Sequence, residues 1–333
     1  MARVAGVSPI TVSRALSTPQ KVKEETRQKV TDAVVKTGYV VNGLASMLRS
    51  GRSAIVSLFV SNLQDQHLAN LIQGCADAFE GTRYRLMMAP AGHAGLGQQD
   101  LLEQVLPYRP AAVMFTGTVK SERVRAQLRG LAIPVMETWD YRPDPVDMLV
   151  GLAHAEGGRL MGAHFAQLGF RRIAYAGGVS EAGLQRLDGF REGLAAHGGA
   201  LACVLPVGGR PSIGEGMAAL GRARRELPGC DAIFFGSDVL AVGAMLRARQ
   251  LGVDVPGELA LAGYGDLEFS SQLHVPLTTV HVSSYQIGFT AGQMLRRRLD
   301  QDSVPERVVL SPLRLVPRAS TGRAADGGSS RAG

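Results

Sequence analysis

The chain has 333 residues, 45% of them hydrophobic, and a net charge of +7. That length exceeds one simple core and supports two or three packed units. Cys75, Cys203 and Cys230 form no CxxC pair, which argues against a disulfide framework or a zinc site and for lone thiols in a reducing cytoplasm. No apolar run follows the first charges as in a signal peptide, and no stretch approaches the roughly 20 apolar residues of a membrane span. A cytoplasmic protein without membrane contact is expected.

In chain order, the first informative stretch is Gly6 to Leu16, GVSPITVSRAL. Gly6 suits a tight turn, the Ser8 hydroxyl can cap a helix, and Pro9 fits the first helical position, where a missing N–H costs nothing. Val12, Ala15 and Leu16 fall on one face, leaving Thr11, Ser13 and Arg14 outside. A short helix after a turn, apolar inside and carrying hydroxyls and an arginine outside, has the build of a recognition helix. A breaker, Ser17-Thr18-Pro19, precedes a helix from Glu24 to about Lys36. Its stripe is Val30, Ala33, Val34 and Thr37, its first turn is acidic, and Gly38 ends it. Asn42 starts a short segment to Leu48, and Arg49 to Arg52 reads as a linker. Residues 1–52 carry nine Lys/Arg against three acids, whereas the other 281 residues are nearly neutral. This asymmetry points the front segment at a polyanion.

From Ala54 the pattern changes. Strand-like runs near 54–61, 85–91, 111–117, 133–138, 172–178, 231–236, 259–264 and 278–282 alternate with amphipathic segments. The latter lie near 64–80, 98–107, 120–131, 156–169, 183–197, 214–227, 238–252 and 284–300. Such alternation predicts an α/β fold of parallel sheets with helices on both faces. Eight units are too many for one small sheet, so two lobes are expected, with ligands at the carboxyl ends of the strands. The tail from Arg323 is expected to be disordered.

These stretches together resemble the lactose-repressor (LacI/GalR) family of bacterial transcription regulators. The matching residues are GVSPITVSRAL at 6–16, ETRQKV at 25–30, GYVVN at 38–42, LASMLR at 44–49, FGSDVLAVGA at 235–244 and VPLTTV at 275–280. The resemblance implies a helix-turn-helix headpiece over 1–41 and a hinge helix with linker over 42–52. It also implies a two-lobed effector-binding and dimerisation core, like the periplasmic sugar-binding proteins, over 53–322, and a homodimer on palindromic double-stranded operator DNA. The family's first helix normally begins about eight residues earlier, so that helix looks truncated. Lys23 also replaces a small capping residue before the third helix.

Carried over by position, Ser8 opens the recognition helix, Pro9 and Ile10 stand where the family varies its base readout, and Arg14 aligns with an arginine that reaches base edges, suited to guanine. Thr11 and Ser13 would bind phosphates. Asn42 begins the hinge helix, and Ala45 and Leu48 match minor-groove residues, Leu48 as the wedge. For the effector, Asn62, Gln64, Thr116, Glu137, Arg186, Ser237, Asp238 and Asp266 lie at strand ends or match family ligand contacts; Asp238 could equally cap its helix. Ala153 with His154, and Gly265, lack the acidic or amide groups common there, which with Arg186 favours an anion. The stretch VMETWD at 135–140 looks most like the gluconate-type branch. A sugar acid such as gluconate or a keto-gluconate is therefore the expected effector. A neutral sugar, a nucleoside, or a sugar-binding protein with a vestigial headpiece are the alternatives. No GK[ST] phosphate loop, HExxH or GxSxG motif occurs, so neither enzyme chemistry nor a metal or cofactor is expected.

Overall fold

A computed structural model describes residues 1–17, 19–39, 53–90, 102, 103, 105–301 and 304–322. The expected hinge residues Asn42, Ala45 and Leu48, and the tail from Arg323, lie outside the described residues, as do residues 98–101 and 104 of the helix expected over 98–107. The chain divides into two compact units, Met1–Ala54 and Ile55–Gly333.

The first unit is helical: α1 (Ala2–Ala5), α2 (Pro9–Ser17) and α3 (Glu24–Thr37). Gly6 makes the turn between α1 and α2 in the left-handed region, at φ 64°, where only glycine is free of a Cβ clash. Ser8 then caps α2. Its Oγ accepts from the Thr11 N–H at 3.1 Å, and its carbonyl accepts from Val12. Ala5, Val12, Ala15, Val30 and Ala33 are buried together, with Met1, Val7, Leu16 and Val22 at the margin. One residue of the expected α3 stripe departs from it. Thr37 is exposed, and its hydroxyl donates to the Ala33 carbonyl at 2.6 Å, the usual backbone contact of a threonine one turn on. Lys23 precedes α3 and gives no side-chain cap. Glu24 and Glu25 in the first turn compensate through the helix dipole and pair with Arg27 and Lys29.

The second unit alternates strands and helices, as the sequence pattern requires. Its elements are β1 (Ile55–Val60), α4 (Gln66–Ala78), β2 (Arg85–Pro90), β3 (Ala112–Phe115), α5 (Glu122–Gly130), β4 (Val135–Asp140) and β5 (Met148–Leu152). Then follow α6 (His154–Gln167), β6 (Ile173–Gly178), α7 (Glu181–Ala195), β7 (Leu201–Val207), α8 (Ile213–Glu226), β8 (Ala232–Phe235) and α9 (Asp238–Gln250). The last are β9 (Ala260–Ala262), β10 (Thr279–Val282), α10 (Ser284–Leu299), β11 (Val308–Leu310) and β12 (Leu313–Val316). One sheet has the order β11-β5-β4-β3-β1-β2 and another β7-β6-β8-β9, with all pairings parallel; β10 and β12 form a small antiparallel pair. Runs such as AIFF at β8 are buried throughout, as strands covered on both faces must be.

Four strands escape the sequence pattern. β5 follows β4 in parallel with only residues 141–147 between them. Seven residues at roughly 3.3 Å each can just span back along a six-residue strand, and Pro143 and Pro145 hold that return extended. β11 and β12 are short strands with mixed exposure, and β7 is an edge strand whose apolar run LACVLPV carries Pro206, a residue confined to sheet edges. The chain passes between the two sheets near residues 152–154, 282–284 and 310–313. The second lobe is tightened where α6 meets α7. A Cβ on Gly158 would lie 2.0 Å from the Arg186 carbonyl, and one on Gly189 would lie 1.8 Å from that of Ala155. Only glycines allow these helix backbones to approach so closely.

Candidate functional site

On the first unit, α2 presents Pro9, Ile10 and Arg14 to solvent, with Ile10 71% exposed. An isoleucine that open on a cationic segment contributes nothing to the unit's own core, which leaves it free to meet another surface. Thr11 and Ser13, expected outside, are half-buried. The Thr11 hydroxyl lies 2.9 Å from Ser8 Oγ, so both take part in the helix start.

In the second unit the strand ends gather a polar cluster around Arg186. The α6–α7 contact sets Arg186 beside His154, the first residue of α6. Arg186 Nη1 donates to His154 Nδ1 at 3.1 Å, and the guanidinium lies 4.7 Å over the Tyr264 ring, a cation–π seat. The Tyr264 hydroxyl lies 3.1 Å from the same His154 nitrogen. A Cβ on Gly157 would stand 2.6 Å from the Tyr264 ring, so glycine makes room for it. His154 Nε2 faces Asp140 Oδ1 at 3.4 Å without completing a hydrogen bond. Because a guanidinium only donates, Nδ1 must carry a free lone pair, which places the imidazole proton on Nε2. Burial, and then the Arg186 charge, pull the His154 pKa down, so the ring is neutral; Asp140 opposes this. Burial pushes the Tyr264 phenol up to about 12. The Nε of Arg186 is buried and has no hydrogen-bond partner.

Trp139 stands beside Asp140 at the end of β4 with φ 76°, a sparsely populated conformation for a bulky residue. Its ring is 5.5 Å from His67, near the start of α4. His67 in turn explains Gly265. At φ 135°, a Cβ on Gly265 would lie 2.4 Å from His67 Nε2. The imidazole thus fills the space where a side chain at 265 would sit. Burial above all lowers the His67 pKa, against the pull of Asp65 and Asp238.

The other expected effector residues divide. Glu137 and Asp238 are both wholly buried. Val119 and Val146 N–H groups donate to the two Glu137 oxygens at 2.7 and 2.6 Å, and buried Arg125 lies 4.0 Å away. Asp238 accepts from the Leu267 N–H at 2.9 Å, Ser270 Oγ at 2.7 Å and Thr279 Oγ1 at 2.6 Å. Each carboxylate organises a loop through these bonds. The Thr116 hydroxyl is held between β1 and β3, donating to the Phe59 carbonyl and accepting from the Ser61 N–H. Asn62 closes a local turn by accepting from the Gln64 N–H, and Gln64 is exposed. Ser237 caps α9. Asp266, also in the left-handed region, is gripped by Arg318 at 2.6 Å and His281 at 2.8 Å, and these partners hold its pKa low against burial. Sequence reasoning missed Trp139, Asp140, Tyr264 and His67. The one signal for them was the chain's single Trp placed at a strand end. Among the described residues, no group of three or more His, Cys, Asp or Glu could hold a metal ion, and no helix is long and apolar enough to cross a membrane.

A profile described as "Bacterial regulatory proteins, lacI family" matches residues 1–42, and one described as "Periplasmic binding protein-like domain" matches residues 163–321. The chain is 30% identical over 326 residues to the HTH-type transcriptional regulator GntR of Pseudomonas aeruginosa, covering 96% of this chain and 94% of that one. The chain belongs to the LacI family. It is a DNA-binding transcriptional regulator and not an enzyme. A solved LacI-family regulator from Silicibacter pomeroyi superposes with a TM-score of 0.84 at 27% identity, over 97% of this chain and 98% of that one. Transcription regulator GntR from Chromobacterium violaceum, 31% identical, superposes with a TM-score of 0.75 over 80% of this chain and 99% of that one.

Proposed function

We propose that this LacI-family regulator is a repressor that grips a palindromic operator as a homodimer and responds to a sugar acid bound around Arg186. The observation that carries the effector class is the Arg186 guanidinium with its buried, partnerless Nε. A buried donor left unpaired is costly, and a carboxylate oxygen satisfies it better than a neutral hydroxyl. His154 is neutral, and Ala153 and Gly265 bring no carboxylate of their own, so the Arg186 cation has only to offset the nearby Asp140 for an incoming anion. The likeness of Val135–Asp140 to the gluconate-type branch supports the same class. Calorimetry against gluconate, keto-gluconates, neutral hexoses and nucleosides tests this reading. Binding of neutral sugars or nucleosides alone would refute it. By linkage, a sugar acid that weakens operator binding must itself bind more weakly to the operator complex, by the same factor.

On the operator, Ile10 and Pro9 of α2 take the base-reading positions, Arg14 reaches a guanine, and Thr11 and Ser13 set the register on phosphates, with Ser8 opening the helix. Arg14→Ala is expected to cost about 1–3 kcal/mol at one base pair and to relax specificity there. Gel shifts on an operator and on its single-base variants measure this. Uniform weakening on every sequence would make Arg14 a phosphate contact instead.

A further inference from the structure

The sugar-acid reading leaves open what gives the pocket its preference for an acid over a neutral polyol of the same length, and the surroundings of Arg186 supply an answer that rests on that reading. We propose that His154 is the positioning residue that turns Arg186 into a carboxylate fork, by occupying Nη1 and leaving the Nε–Nη2 edge for the effector.

Arg186 is fixed from two directions. The Tyr264 ring lies against its face at 4.7 Å, and His154 Nδ1 holds Nη1 at 3.1 Å. His154 cannot swing away. It is wholly buried, begins α6, and is pressed toward α7 by the glycine contacts at 158 and 189. With Nη1 taken, the Nε edge keeps an unpaired donor, Nε itself. A carboxylate engages a guanidinium edge with two parallel N–H···O bonds, whereas a hydroxyl supplies one oxygen. Edge-on pairing therefore separates an acid from an alcohol.

The choice of histidine matters for charge. An Asp or Glu in its place would hold Nη1 equally well, but would neutralise Arg186 and repel an incoming anion. A neutral imidazole accepts without adding charge. Its other nitrogen faces Asp140 from β4, which favours the Nε2–H tautomer and so keeps Nδ1 as the acceptor. The charged and titratable groups around His154 are Asp140 on β4, Arg186 on α7 and Tyr264 after β9, and the Tyr175 phenol of β6 also bonds Arg186. Burial first, and then Arg186, lower the pKa of the ring against the pull of Asp140.

The test uses the full chain, with gluconate and glucitol as probes, read by calorimetry. The expected wild-type protein prefers gluconate. His154→Leu is expected to weaken gluconate by about 10- to 100-fold and to shift glucitol by no more than a few-fold, so that the preference collapses. His154→Asn places an amide oxygen near the lost Nδ1 and is expected to restore most of it. Wild-type preference should be flat around neutral pH and fall in acid, once the ring takes a proton and can no longer accept from Arg186; His154→Asn should show no such fall. A His154→Leu protein that keeps the gluconate preference overturns the role of His154 alone. If His154→Leu does not fold by circular dichroism, the decision passes to His154→Asn, and loss of the preference there, or an unchanged acid fall, overturns the role equally. A wild-type protein that fails to distinguish the two probes overturns the sugar-acid reading, and His154's role with it.

Discussion

Arg186→Leu is expected to lower affinity for a sugar acid by about 100-fold or more, and with it the effector's influence on operator occupancy. A bidentate, charge-assisted pair in a partly desolvated cleft contributes roughly 3 kcal/mol, and about 1.4 kcal/mol is a factor of ten. A second effect acts in the same direction. Removing the cation leaves Asp140 as the charge near His154, so an anion approaches a negative group instead of a positive one. Arg186→Lys restores the charge but not the planar fork, and is expected to recover affinity only in part. Calorimetry supplies the affinities, and a gel shift with and without effector supplies the response. If Arg186→Leu binds gluconate within a few-fold of wild type, the anion does not sit on this guanidinium.

Asp238→Ala should be among the most destabilising single changes in the second unit, by about 3–5 kcal/mol. The carboxylate is wholly buried and ties two separate segments to the start of α9 through three donors: the Leu267 N–H and the Ser270 hydroxyl of one turn, and the Thr279 hydroxyl of β10. Alanine leaves all three donors in the interior without an acceptor, at about 1–3 kcal/mol for each left unsatisfied. Local relaxation recovers part of that. For a unit of this size the change corresponds to a melting-temperature drop of about 10 °C. Thermal and urea unfolding followed by circular dichroism would measure it. A variant that melts with the wild type would mean that Asp238 is dispensable to the fold and would reopen it as a ligand contact.

The contrast between Arg186 and Asp238 shows where sequence reading succeeds and where it stops. Gly6, Ser8 and Pro9 act locally, each through its own backbone or hydroxyl, so the start of α2 is readable without tertiary information. The alternation of apolar runs with amphipathic segments likewise carries the parallel sheets. Of the strands that leave no such trace, β11 buries no residue fully, and β7 buries one face through Leu205 and Val207 but carries Pro206 at the sheet edge. At the cleft, position at a strand end says that a residue is near the site, but not which way it is used. Glu137 and Thr138 stand at the same strand end as Trp139 and Asp140, yet the first two are fully buried and the last two are not. The left-handed φ at Trp139 falls at that divide, and no pattern of hydrophobicity encodes it. Gly265 was readable as a missing side chain, but not as a space filled by His67 from another part of the chain.

The repeated passage of the backbone from one sheet to the other has a bearing on how such a core can be inherited. A cut after Leu152 would leave the six-stranded sheet without β11 and its covering α10, while the remainder would begin with a helix and carry, between α10 and β12, a strand stripped from elsewhere. Neither fragment is a self-sufficient building block. An exchange of the sensor among relatives is therefore expected to succeed more readily whole, with its seam before Ile55, than by halves.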